Sequence, residues 1–120
     1  ALNKQANLLF DKGNYLEASV STMMAYSFAK GANCGYLPAE FRTRAEETWK
    51  GILEQFVSVD KSGIVHVNHV CSVSGLGGNP YRDGSVAYYV GEPQRTDDFK
   101  GYGPFLLAAI ELEKFGTANK

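Results

Sequence analysis

The chain has 120 residues, 44% of them hydrophobic, and this length and apolar content fit one domain with a core. Its 12 basic and 13 acidic residues give a formal net charge of −1 without long charged runs, which excludes the basic face typical of nucleic-acid binding. No apolar stretch approaches the roughly 20 residues that a membrane-spanning helix needs, so no membrane partner is expected.

The first predicted element is a helix over residues 14–31. Asn14 is a suitable N-cap, Glu17 follows three residues later in capping-box fashion, and Gly31 is a suitable C-terminal stop. The residues between them are apolar or small on nearly every face, and such a helix is expected to be buried. Ahead of it, the chain begins ALNKQANLLF, without Met and without the layout of a signal peptide, so this start is either a processing site or an internal boundary.

A second helix is predicted to begin at Pro38, a favoured first helical residue, and to run through PAEFRTRAEETWKGILEQFV. One stripe of this segment is apolar and the opposite stripe carries Arg, Glu and Lys, which is typical of an amphipathic surface helix. The apolar stripe consists of Phe41, Ala45, Trp49, Ile52, Leu53 and Phe56. The two helices are joined by a short loop and therefore predict an αα-hairpin.

Beyond residue 56 the apolar period changes to two. VSVDKSGIVHV predicts two short strands around a type I turn, with Asp60 first and Gly63 last. SVAYYVGEP, residues 85–93, predicts another short strand that ends at Pro93. A last helix, apolar around most of its circumference, is predicted from Pro104 to Gly116.

The segment CSVSGLGGNPYRDGS, residues 71–85, contains four glycines between two apolar segments. It lacks the lysine of a phosphate-binding P-loop, and its Pro and Asp-Gly turns do not open a helix after a strand, so a phosphate cradle is not predicted. The glycines are expected to permit positive φ and close approach of the backbone to a neighbour or ligand. Arg82 and Asp83 either hydrogen-bond a polyhydroxylated or carboxylate ligand, or form an ion pair that only rigidifies the turn.

Metal binding is not predicted. His66 and His69 would face opposite sides of a strand, because they are an odd number of positions apart, and no CxxC or HExxH spacing is present. Cys34 and Cys71 are too few for a disulfide scaffold, and two buried reduced thiols are favoured over one bridge.

Catalytic chemistry is not selected by spacing alone. Neither Cys71 nor Ser74 lies in the G-x-S-x-G elbow of a nucleophile, and the acids available for a carboxylate pair are Glu17, Asp83 and Glu92. Glu17 is more simply a helix cap, and Glu92 a partner that fixes the end of the predicted strand. The tyrosines would suit stacking on sugar rings, although most are expected in the core or an interface: Tyr15, Tyr26, Tyr36, Tyr81, Tyr88, Tyr89 and Tyr102.

Three separated segments carry a family resemblance: NYLEASVSTMMAYSFAKGANCGYL, CSVSGLGGNPYRDGSVAYYVGEP and DDFKGYGPFLLAA. Together and in this order they resemble the C-terminal half of the unsaturated rhamnogalacturonyl hydrolases, in the group of glycoside hydrolase families 105 and 88 that includes the unsaturated glucuronyl hydrolases. The likeness runs from about Asn14 to Glu113, whereas residues 1–13 match the family pattern poorly.

The resemblance implies a mainly α fold that is part of an (α/α)6 barrel, a helical toroid, with a small β-ribbon, and residues 1–120 as a C-terminal fragment of that domain. Such enzymes remove the 4,5-unsaturated uronic acid from pectin-derived disaccharides by hydrating its vinyl-ether bond. The family's proton-donating Asp lies in an N-terminal half that this chain does not contain, so no catalytic residue is assigned. No cofactor is implied.

The resemblance also implies that the chain forms one wall of the substrate pocket. The expected substrate-binding residues are Ser74, Gly75, Leu76, Gly77, Tyr81, Arg82 and Asp83. The alternative is that all seven only hold the loop. The expected partners are the unsaturated disaccharide and either the remaining barrel segments or a second copy covering the apolar helices. Cytoplasm is the expected compartment, with the periplasm as the alternative. The rival interpretation of the whole chain is a non-catalytic helical interaction or carbohydrate-binding module derived from this fold.

Overall fold

The computed structural model describes residues 13–117, and the chain in this range is mainly helical. Its elements are α1 (Ala18–Asn33), α2 (Phe41–Phe56), β1 (Val57–Val59), β2 (Val65–Val67), β3 (Val70–Cys71), α3 (Val86–Gly91), β4 (Gln94–Arg95) and α4 (Phe99–Thr117). Helix α1 packs on both α2 and α4, and the short strands lie between the helices in the chain. None of the helices in residues 13–117 is long and apolar enough to cross a membrane.

Helix α1 begins later and ends later than predicted. The N-cap is Glu17 rather than Asn14, and the Glu17 carboxylate accepts a hydrogen bond of 2.8 Å from the backbone N–H of Val20. Gly31 does not stop the helix: it is buried inside it, where an added Cβ would lie 2.6 Å from Cδ1 of Leu37. That glycine is therefore required for close packing of the α1–α2 connection, and Gly35 with φ of +72° follows the helix end.

Helix α2 confirms the predicted amphipathic helix. Ala45, Ile52 and Phe56 are buried, and the Trp49 ring stacks on Phe105 of α4 with 4.8 Å between ring centroids. The predicted start was early by one turn, because residues 38–40 form a separate tight turn whose Pro38 carbonyl accepts a hydrogen bond from the N–H of Phe41.

Strands β1 and β2 form the predicted antiparallel hairpin, with Val57 opposite Val67 and Val59 opposite Val65. The turn closes through a hydrogen bond of 3.0 Å from the N–H of Gly63 to the carbonyl of Asp60. A second antiparallel pair, β3 with β4, was not predicted; it joins residues 70–71 to residues 94–95. Two-residue strands carry no periodic signal, so sequence pattern could not reveal this pair.

The predicted strand over residues 85–93 is wrong, because most of this segment forms the six-residue helix α3. Ser85 is its N-cap, and the Ser85 hydroxyl oxygen accepts a hydrogen bond of 3.1 Å from the N–H of Tyr88. The β-branched and aromatic content suggested a strand, but a local cap in front of a short apolar run favours a helical turn.

Helix α4 starts at Phe99, five residues before the predicted start at Pro104, which lies inside the helix. Gly101 permits its contact with β3, since an added Cβ there would lie 2.6 Å from Cγ2 of Val70. The Thr22 hydroxyl of α1 donates a hydrogen bond of 3.3 Å to the Gly101 carbonyl. Helices α1 and α4 and strand β3 therefore lie close together around Gly101, and the glycine-rich loop begins here, at the end of β3.

In residues 13–117, helices α1 and α4 are buried along one face only, which fits the interpretation of the chain as part of a barrel whose other segments would cover the remaining apolar faces. Their core face consists of small residues such as Ala18, Ala25 and Ala108, which are fully buried. Large apolar side chains on their other faces are between 44% and 54% exposed: Val20, Met23, Met24, Leu106, Leu107 and Ile110. Each helix therefore packs along one stripe and leaves a second apolar stripe uncovered.

Candidate functional site

The glycine-rich loop folds into a small hairpin across residues 77–82. The N–H of Gly77 donates to the carbonyl of Arg82 at 2.8 Å, and the N–H of Arg82 returns a bond of 3.1 Å to the carbonyl of Gly77. Gly77 and Gly78 have φ angles of +69° and +86°, which confirms that these glycines permit positive φ. The chain reverses here instead of opening a helix, unlike a phosphate-binding loop.

The Arg82 side chain lies on the glycine backbone of this hairpin. Its Nε donates a hydrogen bond of 3.0 Å to the carbonyl of Gly77. A Cβ at Gly78 would lie 2.6 Å from Arg82 Nη2, and a Cβ at Gly75 would lie 3.5 Å from Nη1. These two glycines therefore leave room for the guanidinium, which lies against the loop with one hydrogen bond, from Nε, to the Gly77 carbonyl.

An Arg82–Asp83 ion pair, one of the two sequence alternatives, is not formed. The Asp83 carboxylate instead accepts a hydrogen bond of 2.8 Å from the backbone N–H of Ser85, and this bond holds the pKa of Asp83 below its ordinary value. Within residues 13–117 no carboxylate pairs with Arg82. Arg82 is thus a half-buried cation without an acidic partner in the described chain.

One cavity, named here the Ser74 pocket, lies on one side of the hairpin and has a volume of about 300 Å³. The Tyr88 hydroxyl accepts a hydrogen bond of 3.3 Å from the N–H of Gly75 and so fixes the pocket wall. Leu76 packs directly over Gly84, where an added Cβ would clash with its side chain. The lining is uncharged: Ser74, Gly75, Leu76, Gly84, Tyr88 and Tyr89.

A second cavity, named here the Tyr81 pocket, has a volume of about 390 Å³. Its lining shares Tyr88 with the Ser74 pocket and otherwise differs in chemistry, because it includes a cation, a carboxylate and a side-chain amide. It consists of Val73, Asn79, Pro80, Tyr81, Arg82, Tyr88 and Glu92. The Tyr81 side chain is 78% exposed and forms the outer edge of this pocket.

Two charged side chains, Glu17 and Lys100, anchor the start of the loop. Both line a third cavity, which has a volume of about 420 Å³. The buried Glu17 carboxylate accepts a hydrogen bond of 2.8 Å from the N–H of Cys71. Lys100 of α4 donates to the carbonyl of Ser72 at 2.9 Å and to Asp98 at 2.7 Å, and Lys100 is the main cause that lowers the pKa of Asp98. The charge of Lys100 is therefore already balanced by a close carboxylate.

A pair of tyrosines lies beneath these cavities. The Tyr15 and Tyr89 rings stack with 5.4 Å between centroids and an interplanar angle of 4°. The Tyr15 hydroxyl oxygen is buried and has no hydrogen-bond partner in the part of the chain that the structure describes. Burial is the main cause that raises the pKa of both tyrosines, so both are neutral phenols at physiological pH.

The histidines have separate partners. His66 Nδ1 lies 2.7 Å from Asp97 Oδ2, and its Nε2 lies 3.5 Å from Asp60 Oδ2. His69 lies outside the strand at φ of +61° and bonds Gln94. Across residues 13–117 no group of three or more potential ligands could hold a metal ion. Both cysteines are free thiols as predicted, but only Cys71 is buried, since Cys34 caps the exposed end of α1.

The seven predicted site residues lie within residues 74–83 of the glycine-rich loop but not in one cavity. Ser74, Gly75 and Leu76 line the Ser74 pocket, whereas Tyr81 and Arg82 line the Tyr81 pocket. Gly77 closes the turn and the Asp83 carboxylate is used by the backbone. The predicted substrate-binding set leaves out the other residues that line these two pockets: Val73, Asn79, Pro80, Gly84, Tyr88, Tyr89 and Glu92. Of these, the sequence suggested only Tyr88 and Tyr89, as possible stacking residues, and Glu92, as a possible acid. The missed signal was Ser85, a favoured N-cap residue in front of a short apolar run. A helix predicted from it would have placed Tyr88 and Tyr89 beside the loop.

Comparison with known proteins identifies related chains. The family model for Glycosyl Hydrolase Family 88 matches residues 6–116, so the likeness extends further toward the N-terminus than residue 14. Protein Atu3128 of Agrobacterium fabrum and the 24.9 kDa protein in picA locus of Rhizobium radiobacter are each 37% identical to this chain over 105 residues. The matches cover 82% of this chain and 45% of each relative, so the chain spans less than half the length of these relatives.

A solved structure shares the fold. The glycoside hydrolase of family 105 from C. acetobutylicum ATCC 824 matches with a TM-score of 0.82 and 48% sequence identity, over 85% of this chain and 28% of that one. The predicted fold class is confirmed: the structure is mainly α, with a small antiparallel ribbon, and corresponds to part of an (α/α)6 barrel.

Proposed function

Because the chain belongs to Glycosyl Hydrolase Family 88, we propose that the whole protein is a glycosidase that acts on 4,5-unsaturated galacturonyl-rhamnose released from pectin. The relative of known structure is itself described as a glycoside hydrolase, which supports the reaction class. The residues of this chain would form one wall of the substrate site and part of the barrel around it.

The proposed reaction is hydration of the vinyl ether of the unsaturated uronic acid. A carboxylic acid protonates the double bond, and water adds to the carbon next to the ring oxygen and loses its proton to solvent or a base. The resulting hemiketal opens, and the bond to the rhamnose oxygen breaks as that oxygen takes up a proton. We assign the role of proton donor to no residue of this chain. The carboxylates of Glu17, Asp83 and Asp97 are already engaged, in a helix cap, a turn and an ion pair respectively.

Arg82 carries the proposed role of this chain in substrate binding. The substrate is an anion, and two cations border the loop. Lys100 lies 2.7 Å from the Asp98 carboxylate, whereas Arg82 has no carboxylate partner in residues 13–117 and its guanidinium is fixed by Gly77. An uncompensated, preoriented guanidinium is better placed than a neutralised ammonium to form a bidentate contact with the uronate carboxylate.

The test replaces Arg82 in the intact protein and follows loss of the ultraviolet absorbance of the unsaturated uronide. Arg82→Met is expected to lower kcat/KM by about 100-fold, the loss typical of a charge-assisted bidentate contact of about 3 kcal/mol. Arg82→Lys should recover only part of this, because an ammonium cannot reproduce the planar fork. Arg44→Met, at an exposed arginine of α2, is the matched control and should leave kcat/KM unchanged.

An unchanged kcat/KM in Arg82→Met would exclude this role for Arg82. Absence of hydrolysis by the intact wild-type protein would exclude the proposed reaction itself. In that case the uncovered apolar stripes of α1 and α4 favour the second candidate, a non-catalytic interaction or carbohydrate-binding module that covers these stripes by self-association. Under the enzyme proposal, other barrel helices of the same protein cover them.

A further inference from the structure

The glycine-rich loop leaves from and returns to a stem formed by residues 66–72 and residues 93–97, named here the loop stem. At the end next to the loop, the N–H of Ser72 donates a hydrogen bond of 2.9 Å to the carbonyl of Pro93. The β3–β4 pair forms the middle of the stem. Side-chain hydrogen bonds add two further contacts between its sides: Thr96 with Asn68, and His69 with Gln94. The position of the loop therefore depends on this stem.

The far end of the loop stem is closed by Asp97. Its backbone N–H donates to the carbonyl of Val67 at 2.8 Å, and its Oδ1 accepts a bond of 2.8 Å from the N–H of Val67. Its other oxygen, Oδ2, lies 2.7 Å from Nδ1 of His66. Asp97 has φ of +58°, a conformation that is unfavourable for a residue with a Cβ and persists only where surrounding contacts hold it. The contacts with His66 and Val67 therefore hold Asp97 in this conformation.

The charge of His66 sets the strength of this closure, because the ring lies between two carboxylates. Asp97 contacts Nδ1, and Oδ2 of Asp60 lies 3.5 Å from Nε2. Only the imidazolium carries a proton on both ring nitrogens and can donate to both carboxylates. The neutral ring keeps one proton, so a charge-assisted pair becomes an ordinary hydrogen bond and a lone pair faces the second carboxylate. The His66 and Asp97 side chains are 30% and 39% exposed, so solvent protons reach the ring.

The other elements around His66 leave its charge to these two carboxylates. Strand β1, which pairs with β2, has no titratable side chain. From α4, the Tyr102 hydroxyl donates to the carbonyl of Val65, and the neighbouring Asp98 carboxylate is bonded by a lysine. The turn also carries Lys61, which forms no ion pair within residues 13–117. The hydrogen bond to Asp97 is the main cause that raises the pKa of His66 above its usual 6.5.

We propose that His66 and Asp97 form a pH-sensitive switch at the base of the glycine-rich loop. With His66 protonated, the far end of the loop stem is closed. As pH rises and His66 loses its proton, this end opens locally, while the packing of α1 against α2 and α4 does not depend on the ring. The opening releases the return side of the stem, from which the loop that carries Arg82 is held. The switch operates whether or not the protein catalyses the proposed reaction.

Hydrogen exchange followed by mass spectrometry on the intact protein tests the switch. Protection factors, which remove the intrinsic pH dependence of exchange, are compared at about pH 5.5 and about pH 8.5, on either side of the titration range of histidine. In wild type, peptides that cover residues 93–98 should lose protection several-fold at the higher pH, whereas peptides from α2 should not. His66→Gln should abolish this pH dependence, because an amide does not titrate in this range. Asp97→Asn should strongly reduce it, since asparagine tolerates positive φ but carries no charge.

The control is His69→Gln, which removes the only other histidine of the chain and should retain the wild-type pH dependence. A loss of protection in His66→Gln equal to that in wild type would overturn the switch, as would constant protection in wild type. An equal loss in α2 would show global unfolding instead of local opening. NMR titration of the His66 ring supplies the second readout: its pKa should be lower in Asp97→Asn than in wild type, and an unchanged pKa would exclude Asp97 as the partner.

Discussion

Replacing Glu111 tests the packing of α1 against α4. The Glu111 carboxylate is buried on α4, with its residue only 5% exposed. It accepts hydrogen bonds from Lys114 at 2.8 Å, from Asn33 at 2.9 Å and from Lys30 at 3.1 Å. These donors, Lys114 first, lower the pKa of Glu111 from 4.5 to about 2. Glu111→Gln keeps the shape of the side chain and removes its charge.

The magnitude follows from the pKa. Since one pKa unit corresponds to about 1.4 kcal/mol, the fall from 4.5 to about 2 sets an upper bound of about 3 kcal/mol on the stabilisation from Glu111 ionisation. Lys30 and Lys114 are 45% and 50% exposed, and solvent screening of these partners reduces the expected loss in Glu111→Gln to about 1–2 kcal/mol near pH 7.

The sign of the pH dependence is fixed by the lowered pKa. A carboxyl whose folded pKa lies below its unfolded value stabilises the fold fully above the unfolded value, here 4.5, and loses this contribution as pH falls toward about 2. Chemical denaturation of the intact protein should therefore show a gap between wild type and Glu111→Gln near neutral pH that closes by about pH 2. Glu113→Gln, at an exposed position of the same helix, is the control. A gap of the same size at both pH values would refute the ionic explanation.

Two further predictions concern stability. Gly101→Ala should lower the free energy of unfolding by about 1–2 kcal/mol, because the added Cβ would lie 2.6 Å from a methyl of the buried Val70. Gly51→Ala, where an added Cβ has nothing within 4 Å, should raise the free energy of unfolding by up to about 1 kcal/mol. Equal effects of the two substitutions in chemical denaturation would contradict the close approach of Gly101 to β3. Asp97 raises the folded pKa of His66, so His66 should stabilise the fold below its unfolded pKa of 6.5 and lose this contribution as pH rises through the folded pKa. In chemical denaturation above about pH 6.5, His66→Gln should therefore lose less stability with rising pH than wild type. The control His69→Gln should lose as much as wild type.

The parts of the fold that sequence predicted are those that local chemistry determines. The stripe of Ile52 and Phe56 predicted α2, and the turn from Asp60 to Gly63 predicted the β-ribbon, because both signals lie within a few residues. The strand β3 and the early start of α4 depend on the contact of Val70 with Gly101, which joins residues 31 positions apart. No periodic pattern encodes such a contact.

The backbone conformation of the loop at the candidate site was predicted in part, but the arrangement of its side chains was not. Positive φ at Gly77 and Gly78 follows from their residue type, and the loop was correctly placed between two apolar segments. The partners of Arg82 and Asp83 were not predictable, since adjacent opposite charges suggest an ion pair. The hairpin instead turns Arg82 back onto the glycines and leaves Asp83 to cap the turn before α3.

The arrangement around Arg82 gives one physical reason for the number of glycines in this loop. Gly75 and Gly78 are the two positions where a side chain would contact the guanidinium, and Gly77 supplies the carbonyl that holds its Nε. A half-buried guanidinium without a carboxylate in residues 13–117 destabilises the empty loop relative to a paired one, because its desolvation is only partly offset. A bound carboxylate would offset it. The loop is therefore expected to gain stability on binding an anionic sugar, and Arg82→Met should abolish this gain.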